Sequence, residues 1–302
     1  MKKLTTQPAI TLTQMMKKFS TEDACKEHLK NLRWPDGVKC PRCQSEKVYA
    51  LKARPFHWVC KAKDCGGANG YRFSVIAKTI FENTNYPLTT WFQVIYLMMQ
   101  SKKGISALQI HRQIGSGDYR TAWYMCHRIR AAMQSGTFNK LMGEVEVDET
   151  YIGGKAKNRH ASKRKHIGTG VAGKVGVIGA IARKGNVEAE IIERADANTL
   201  TEFVRKTVDE QVSLISTDEW HGYARLKNSF PHETVSHLNG EYVRGNVHTA
   251  NLDSFWSLLK RGVMGTFHNV SKAYLPLYLA EFSYRHNNRE NPNLFNDVIA
   301  GC

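Results

Sequence analysis

Two things are missing from this 302-residue sequence, and a third is scarce. No apolar run approaches the eighteen or so residues that a helical membrane span needs, so a membrane partner is not expected. The opening stretch MKKLTTQPAITLTQMMKKF has lysines but no continuous apolar segment and no small-residue cleavage site. It reads as mature protein and not as a signal peptide. A reducing cytoplasm is then the expected compartment, with the seven cysteines as thiols or metal ligands and not disulfides. Acids are the scarce class. Against 43 Lys and Arg there are 27 Asp and Glu, a net charge of +16 with a pI near 9.5. A field of that sign concentrates polyanions, so duplex DNA is the expected partner.

What is present begins with four cysteines. Cys40-Pro41-Arg42-Cys43 is followed by sixteen residues and then by Cys60 and Cys65, with four residues between them. Two thiolates flanking two residues sit on one tight turn and reach one tetrahedral ion, and a pair from a following hairpin closes the site. The pattern predicts a zinc ribbon with Zn2+ on Cys40, Cys43, Cys60 and Cys65. Short strands are expected at 47–51, 56–60 and 71–75. So small a module draws its folding free energy from the metal. Cys25, Cys126 and Cys302 fall outside the pattern, and His57 is an alternative ligand.

After Pro87 the apolar period becomes helical. Residues 88–100 read as an apolar helix opened by Thr89 or Thr90, and 104–114 as a second helix capped by Ser106. Gly115-Ser116-Gly117 is a turn, and 118–133 a third helix carrying Arg120, Arg128 and Arg130. Two helices on a short glycine turn, the second basic, predict a helix-turn-helix-like segment that enters a DNA groove.

From Gly143 the period becomes two. Strands are expected at 144–154, 174–183 and 186–194, a helix at 198–212 capped by Asn198 or Thr199, a strand from 213, another at 232–237, and a helix at 250–262. That element order is RNase H-like. Asp148 falls on the first strand, Asp218 at the end of the fourth and Asp253 in the first turn of the last helix. Three converging acids can hold two divalent ions, Mg2+ or Mn2+, for phosphoryl transfer. Lys260 lies seven residues past Asp253, two turns along the same helix face. Between the first two strands, residues 155–166 carry Lys155, Lys157, Arg159, Lys163, Arg164 and Lys165, a loop suited to phosphates. Trp256 reads as helix core.

Several stretches together resemble one family: CPRC, FSVIAKTIFENTNYPL, KKGISALQIHRQIG, TAWYMCHRIRAAM, VEVDETYIGG, ISTDEWHGY, VHTANLDSFWSLLKRGVMGTFHNVS and YLAEFSYRHNNR. They resemble bacterial insertion-sequence transposases with an N-terminal zinc ribbon and a DDE-type, integrase-like domain. The resemblance implies metal-dependent DNA cleavage and strand transfer at transposon ends, by a homodimer or larger assembly on DNA. It puts Asp148 and Asp218 in the places of the first two acids and Lys260 in that of a downstream lysine. The third element departs from the family pattern: in His248-Thr249-Ala250-Asn251-Leu252-Asp253, Ala250 stands where Asn is common and Asp253 where Glu is common. A carboxylate holds Mg2+ better than an amide does, so Asp253 is the favoured third residue and Asn251 the alternative.

The expected class is α/β, in five parts: an N-terminal helical segment (1–34), the ribbon (35–80), the helix-turn-helix-like segment (86–135), the RNase H-like domain (143–290) and a tail (291–302). Two other functions compete with a transposase. A DNA-binding regulator would need the ribbon and helices but no acids. A plain nuclease would need the acids but no end-reading region in front of them.

Overall fold

Thr11 and Thr21 lie in extended backbone, and their hydroxyls accept the N–H of Gln14 and of Ala24. These caps start α1 (Leu12–Lys18) and α2 (Glu22–Arg33). The computed structural model describes residues 10–134, 139–154, 173–236, 239–241 and 243–302. The chain divides into two units, 1–136 with 290–302, and 137–289.

In the first unit β1 (Val48–Ala50), β2 (His57–Cys60) and β3 (Tyr71–Ser74) form an antiparallel sheet, where the sequence predicts strands. Trp34, Trp58 and Phe73 pack together on it. The helix α3 (Leu88–Gln100) begins one residue earlier than Thr89. Its cap is remote: the Leu88 N–H donates to Glu22 Oε2 at 2.7 Å. Ser106 caps α4 (Ala107–Ile114) as expected, and Gly115 ends it with a left-handed φ of +62° before α5 (Tyr119–Gln134). Residues 291–302 are not a loose tail. They hold α9 (Leu294–Gly301), whose Phe295, Val298 and Ile299 are buried at helical spacing, with Phe295 against Phe19 and Phe92.

The second unit is built on a five-stranded sheet in the order β6-β5-β4-β7-β8: β4 (Glu144–Ile152), β5 (Val175–Ala182), β6 (Val187–Ile192), β7 (Leu214–Asp218) and β8 (His232–Val235). The first three are antiparallel neighbours, while β7 runs parallel to β4 and β8 parallel to β7. This is the RNase H-like arrangement that the element order predicts. Its two parallel pairs need crossovers. The first uses α6 (Ala197–Thr207), capped by Asp196, whose Oδ1 takes the N–H of both Asn198 and Thr199. The cap falls two residues before Asn198 and three before Thr199 because that carboxylate is the better acceptor. The second uses a 3-10 helix (His221–Asn228).

Each sheet face has its own core. Val145, Val147, Ile178 and Ile215 meet Leu200, Phe203 and Val204 of α6 on one face. On the other, Val177 and Ile181 meet Leu252, Phe255, Trp256 and Leu259 of α7 (Ala250–Arg261), and Leu279 and Phe282 of α8 (Leu275–Asn287). Each large α7 side chain contributes roughly 1.5–3 kcal/mol by burial. Among the described residues no helix is long and apolar enough to cross a membrane.

Candidate active site

The ladder between β4 and β7 pairs Glu144 with Leu214 and Glu146 with Ser216, an offset of 70 residues. Carried two residues further, that offset brings Asp148 level with Asp218. Strand alternation points Glu146 and Asp148 to the face that α7 covers, while Val145 and Val147 point to the α6 face.

Glu146 fixes α7 against that face. It is fully buried. Its Oε2 accepts the N–H of Asn251 at 2.9 Å and of Leu252 at 3.1 Å. Its Oε1 accepts Asn251 Nδ2 at 2.6 Å and Arg183 Nε at 3.1 Å, and His248 Nδ1 lies 3.1 Å away. Thr249, the local cap residue, makes no side-chain cap bond to the helix backbone. A strand carboxylate therefore satisfies the first amides of α7 and meets the positive end of its dipole. Arg183 also pairs with Glu144 and reaches the Asn246 carbonyl.

With α7 so placed, Asp148, Glu149, Thr150, Asp253, Trp256, Ser257, Lys260, Arg261 and Met264 line a cleft of about 630 Å³. Asp253, Trp256, Ser257 and Lys260 recur at helical spacing, so Asp253 and Lys260 share a face as predicted. The Thr249 hydroxyl donates to Asp253 Oδ2 at 3.2 Å, and the Trp256 indole to Asp148 Oδ2 at 3.0 Å. The Asp148 carboxyl is pushed up to about 8, first by burial and then by the charges of Glu149, Asp218 and Asp253. Burial also raises Glu149, against a 2.6 Å hydrogen bond from the Tyr223 hydroxyl. Asp148 thus feels the charge of both other predicted acids. Among the described residues, however, the group of ligand atoms closing to within 4.8 Å is the four thiols.

In the ribbon, Cys40 Sγ lies 3.5 Å from Cys65 Sγ, and Cys43 Sγ 3.7 Å from Cys60 Sγ. Sulfurs about 2.3 Å from one ion in a tetrahedron stand about 3.8 Å apart, so the spacing fits Zn2+. The wide second pair is closed by glycine. A Cβ on Gly70 (φ +70°) would come 2.4 Å from the Cys60 carbonyl oxygen. Only a residue without a side chain lets the loop return there. His57 is turned to the Pro55 carbonyl and not to the thiols.

Both regions now match known families. The ISXO2-like transposase domain model matches residues 140–287, and the transposase zinc-ribbon domain model matches residues 20–68. The chain carries both domains of the zinc-ribbon insertion-sequence transposases. A protein of transposable element ISH50 from Halobacterium salinarum is 29% identical to it over 282 residues, covering 89% of this chain and 92% of that protein. A chain of a simian T-cell lymphotropic virus intasome in complex with PP2A regulatory subunit B56 gamma aligns with 55% of this chain and 61% of its own. Its TM-score is 0.29 at 14% identity, too low to bear on the fold.

The structure sorts the remaining predicted residues of the transposase. Of the α5 arginines, Arg120 is exposed. Arg128 is half-buried, donating to the Glu82 carbonyl at 3.2 Å. Arg130 is 1% exposed and does not offer its charge to a phosphate. Two residues past Arg128 is about 200° around the helix, on the face of Cys126, Ile129 and Met133. Lys155, Lys157, Arg159, Lys163, Arg164 and Lys165 lie outside the described residues. Sequence reasoning assigned no role to Glu146. The signal was its position: two residues before Asp148, it shares the same buried face. It also missed the polar end of Trp256.

Proposed function

We propose that this transposase cuts DNA at the ends of its element and joins those ends to a target, by metal-assisted phosphoryl transfer at Asp148, Asp218 and Asp253. The observation that carries the reading is the β4–β7 register, paired as far as Glu146–Ser216: continued two residues, it would bring Asp148 level with Asp218, on the face where α7 carries Asp253. Asn251, the alternative third residue, has its amide held by Glu146, which favours Asp253. The donor set fits Mg2+ or Mn2+: all oxygen, with the Asp148 carboxyl pushed up to about 8 by burial first and by its like-charged neighbours second. Bound divalent ions would stabilise the attacking and leaving oxygens of the displacement. The chain's own part is to orient. Asp148 and Asp218 are carried on neighbouring strands, and Lys260 meets a phosphate from the helix face that bears Asp253. The net charge of +16 and the exposed Arg120 favour duplex DNA, with the basic segment at 155–166 as a further phosphate contact. A homodimer or larger complex on two ends is part of this proposal.

The test is cleavage and joining of DNA bearing the element's own ends, with Mg2+ and with Mn2+. Asp148→Asn and Asp218→Asn should each abolish both steps and leave end binding nearly unchanged. Either variant cutting at the wild-type rate would overturn the acid assignment. A wild-type chain that binds ends but neither cuts nor joins them with either metal would be a regulator.

A further inference from the structure

Trp256 lies between Asp148 and Asp253, both of which line the cleft. It follows Asp253 by three residues and precedes Lys260 by four, so its side chain stands on the same face of α7. The ring is almost fully buried, and its indole N–H donates to Asp148 Oδ2 at 3.0 Å. The seat for that ring is a glycine. Gly179 of β5 is the ladder partner of Asp148. A Cβ there would come 2.7 Å from Trp256 Cζ2 and Cη2 and 3.3 Å from Leu252 Cδ1. Under 3 Å such a contact forces something to shift, and neither an indole ring nor a sheet backbone gives way easily. The bare backbone at 179 therefore lets the indole lie close enough over β5 to reach the carboxylate on β4.

From this contact we infer that Trp256, seated on Gly179, is a positioning residue for Asp148: its indole N–H fixes one carboxylate oxygen and so sets how the group meets a divalent cation in the cleft. An indole N–H is a donor only, so it orients a carboxylate without adding charge or competing as a ligand. The contact is relayed through α7, which Glu146 holds at its first turn, so the helix that supplies Asp253 also aims Asp148. The inference rests on the metal-dependent reading of the acids. Partners of this kind, one step behind a ligand, typically alter metal affinity or activity by about 10–100-fold when removed.

The test uses the full-length, zinc-loaded chain and Mn2+ as probe, with free Mn2+ followed by electron paramagnetic resonance. Trp256→Phe keeps a ring over Gly179 and removes the donor. It should weaken Mn2+ binding by about 10–100-fold, with half-maximal cleavage moving to higher Mn2+ by a similar factor and end binding unchanged. Gly179→Ala, which keeps the tryptophan but displaces its ring and the N–H with it, should weaken Mn2+ binding in the same direction. A purely structural tryptophan would lower the melting temperature and leave Mn2+ affinity alone, and that result overturns the inference. Should either variant fail to fold, indole 15N–1H spectra of the wild type and of Asp148→Asn decide. The Trp256 signal should move on the substitution, and Mn2+ should broaden it in the wild type but not in Asp148→Asn. A signal indifferent to both overturns the inference. If Asp148→Asn itself binds Mn2+ and cuts like the wild type, the metal reading fails. If Asp148→Asn is inactive while Trp256→Phe is normal in both respects, only the positioning role fails.

Discussion

The thiol site and the acid site of this transposase are built on opposite plans. The four ribbon cysteines lie within 26 residues of sequence, from Cys40 to Cys65, and their sulfurs already meet at 3.5 and 3.7 Å. Each thiol is carried on a turn or hairpin, and the one long-range demand is that Gly70 let the loop pass the Cys60 carbonyl. The acids span 106 residues, from Asp148 to Asp253, and come from two strands and a helix. No local turn relates them. They are related by a parallel ladder, and by a buried glutamate that docks the helix. A local site can be closed by its metal. A dispersed one has to be framed by the fold, and so it depends on residues that never touch a substrate.

The largest effect should follow from removing the zinc. A structural Zn2+ contributes about 10–16 kcal/mol in small modules, far more than a ribbon core of this size can replace. Chelation, or Cys40→Ser, should unfold residues 35–75 and weaken end binding, while the unit at 137–289 keeps its own melting transition. Calorimetry on the two samples checks this. One joint transition lost in both samples would erase the contrast between a metal-closed and a fold-framed site.

Next in size is Glu146→Ala. It takes one of two carboxylates from Arg183 and opens the first amides of α7 in a buried setting, where breaking one side of an ion pair costs up to about 3–5 kcal/mol. Here the loss should fall on the melting of residues 137–289 and on cleavage together, with zinc content unchanged. Measured stability within 1 kcal/mol of the wild type, by urea unfolding, would mean that the helix is held by its apolar face alone.

The smallest structural effect separates the two candidates for the third residue. Asn251→Ala removes one of several donors to Glu146 and should cost about 1–3 kcal/mol of stability, with cleavage by the folded protein largely kept. Asp253→Ala should do the reverse, leaving stability near the wild type and cleavage strongly reduced. Cleavage by each variant on pre-bound ends, beside its unfolding curve, checks the pair. An active Asp253→Ala with an inactive Asn251→Ala would make the amide the third residue and redraw the acid site.

Much of this was legible in the residues themselves. The strands of the ribbon and of the RNase H-like sheet lie where period-two stretches put them, and Ser106 and Gly115 bound α4 as their chemistry dictates. The errors share a cause. Glu22 capped α3 from another helix, and residues 294–301 became a packed helix instead of a tail. Arg130 went inside. In each case a contact with another element, or the angular position around a helix, overrode what the residue type favoured locally.

Period, spacing and charge determined the element order, the four thiols, the basic surface and the three acids by position, because those are properties of neighbours along the chain. Only the folded sheet decided that Glu146 would be a helix anchor and not a solvated acid, that Asn251 would serve it, and that Trp256 would present its N–H to Asp148 over a glycine. The reason is burial. In a dry interior a carboxylate or an indole N–H must find a partner, and which partner is in reach is set by packing between segments far apart in sequence.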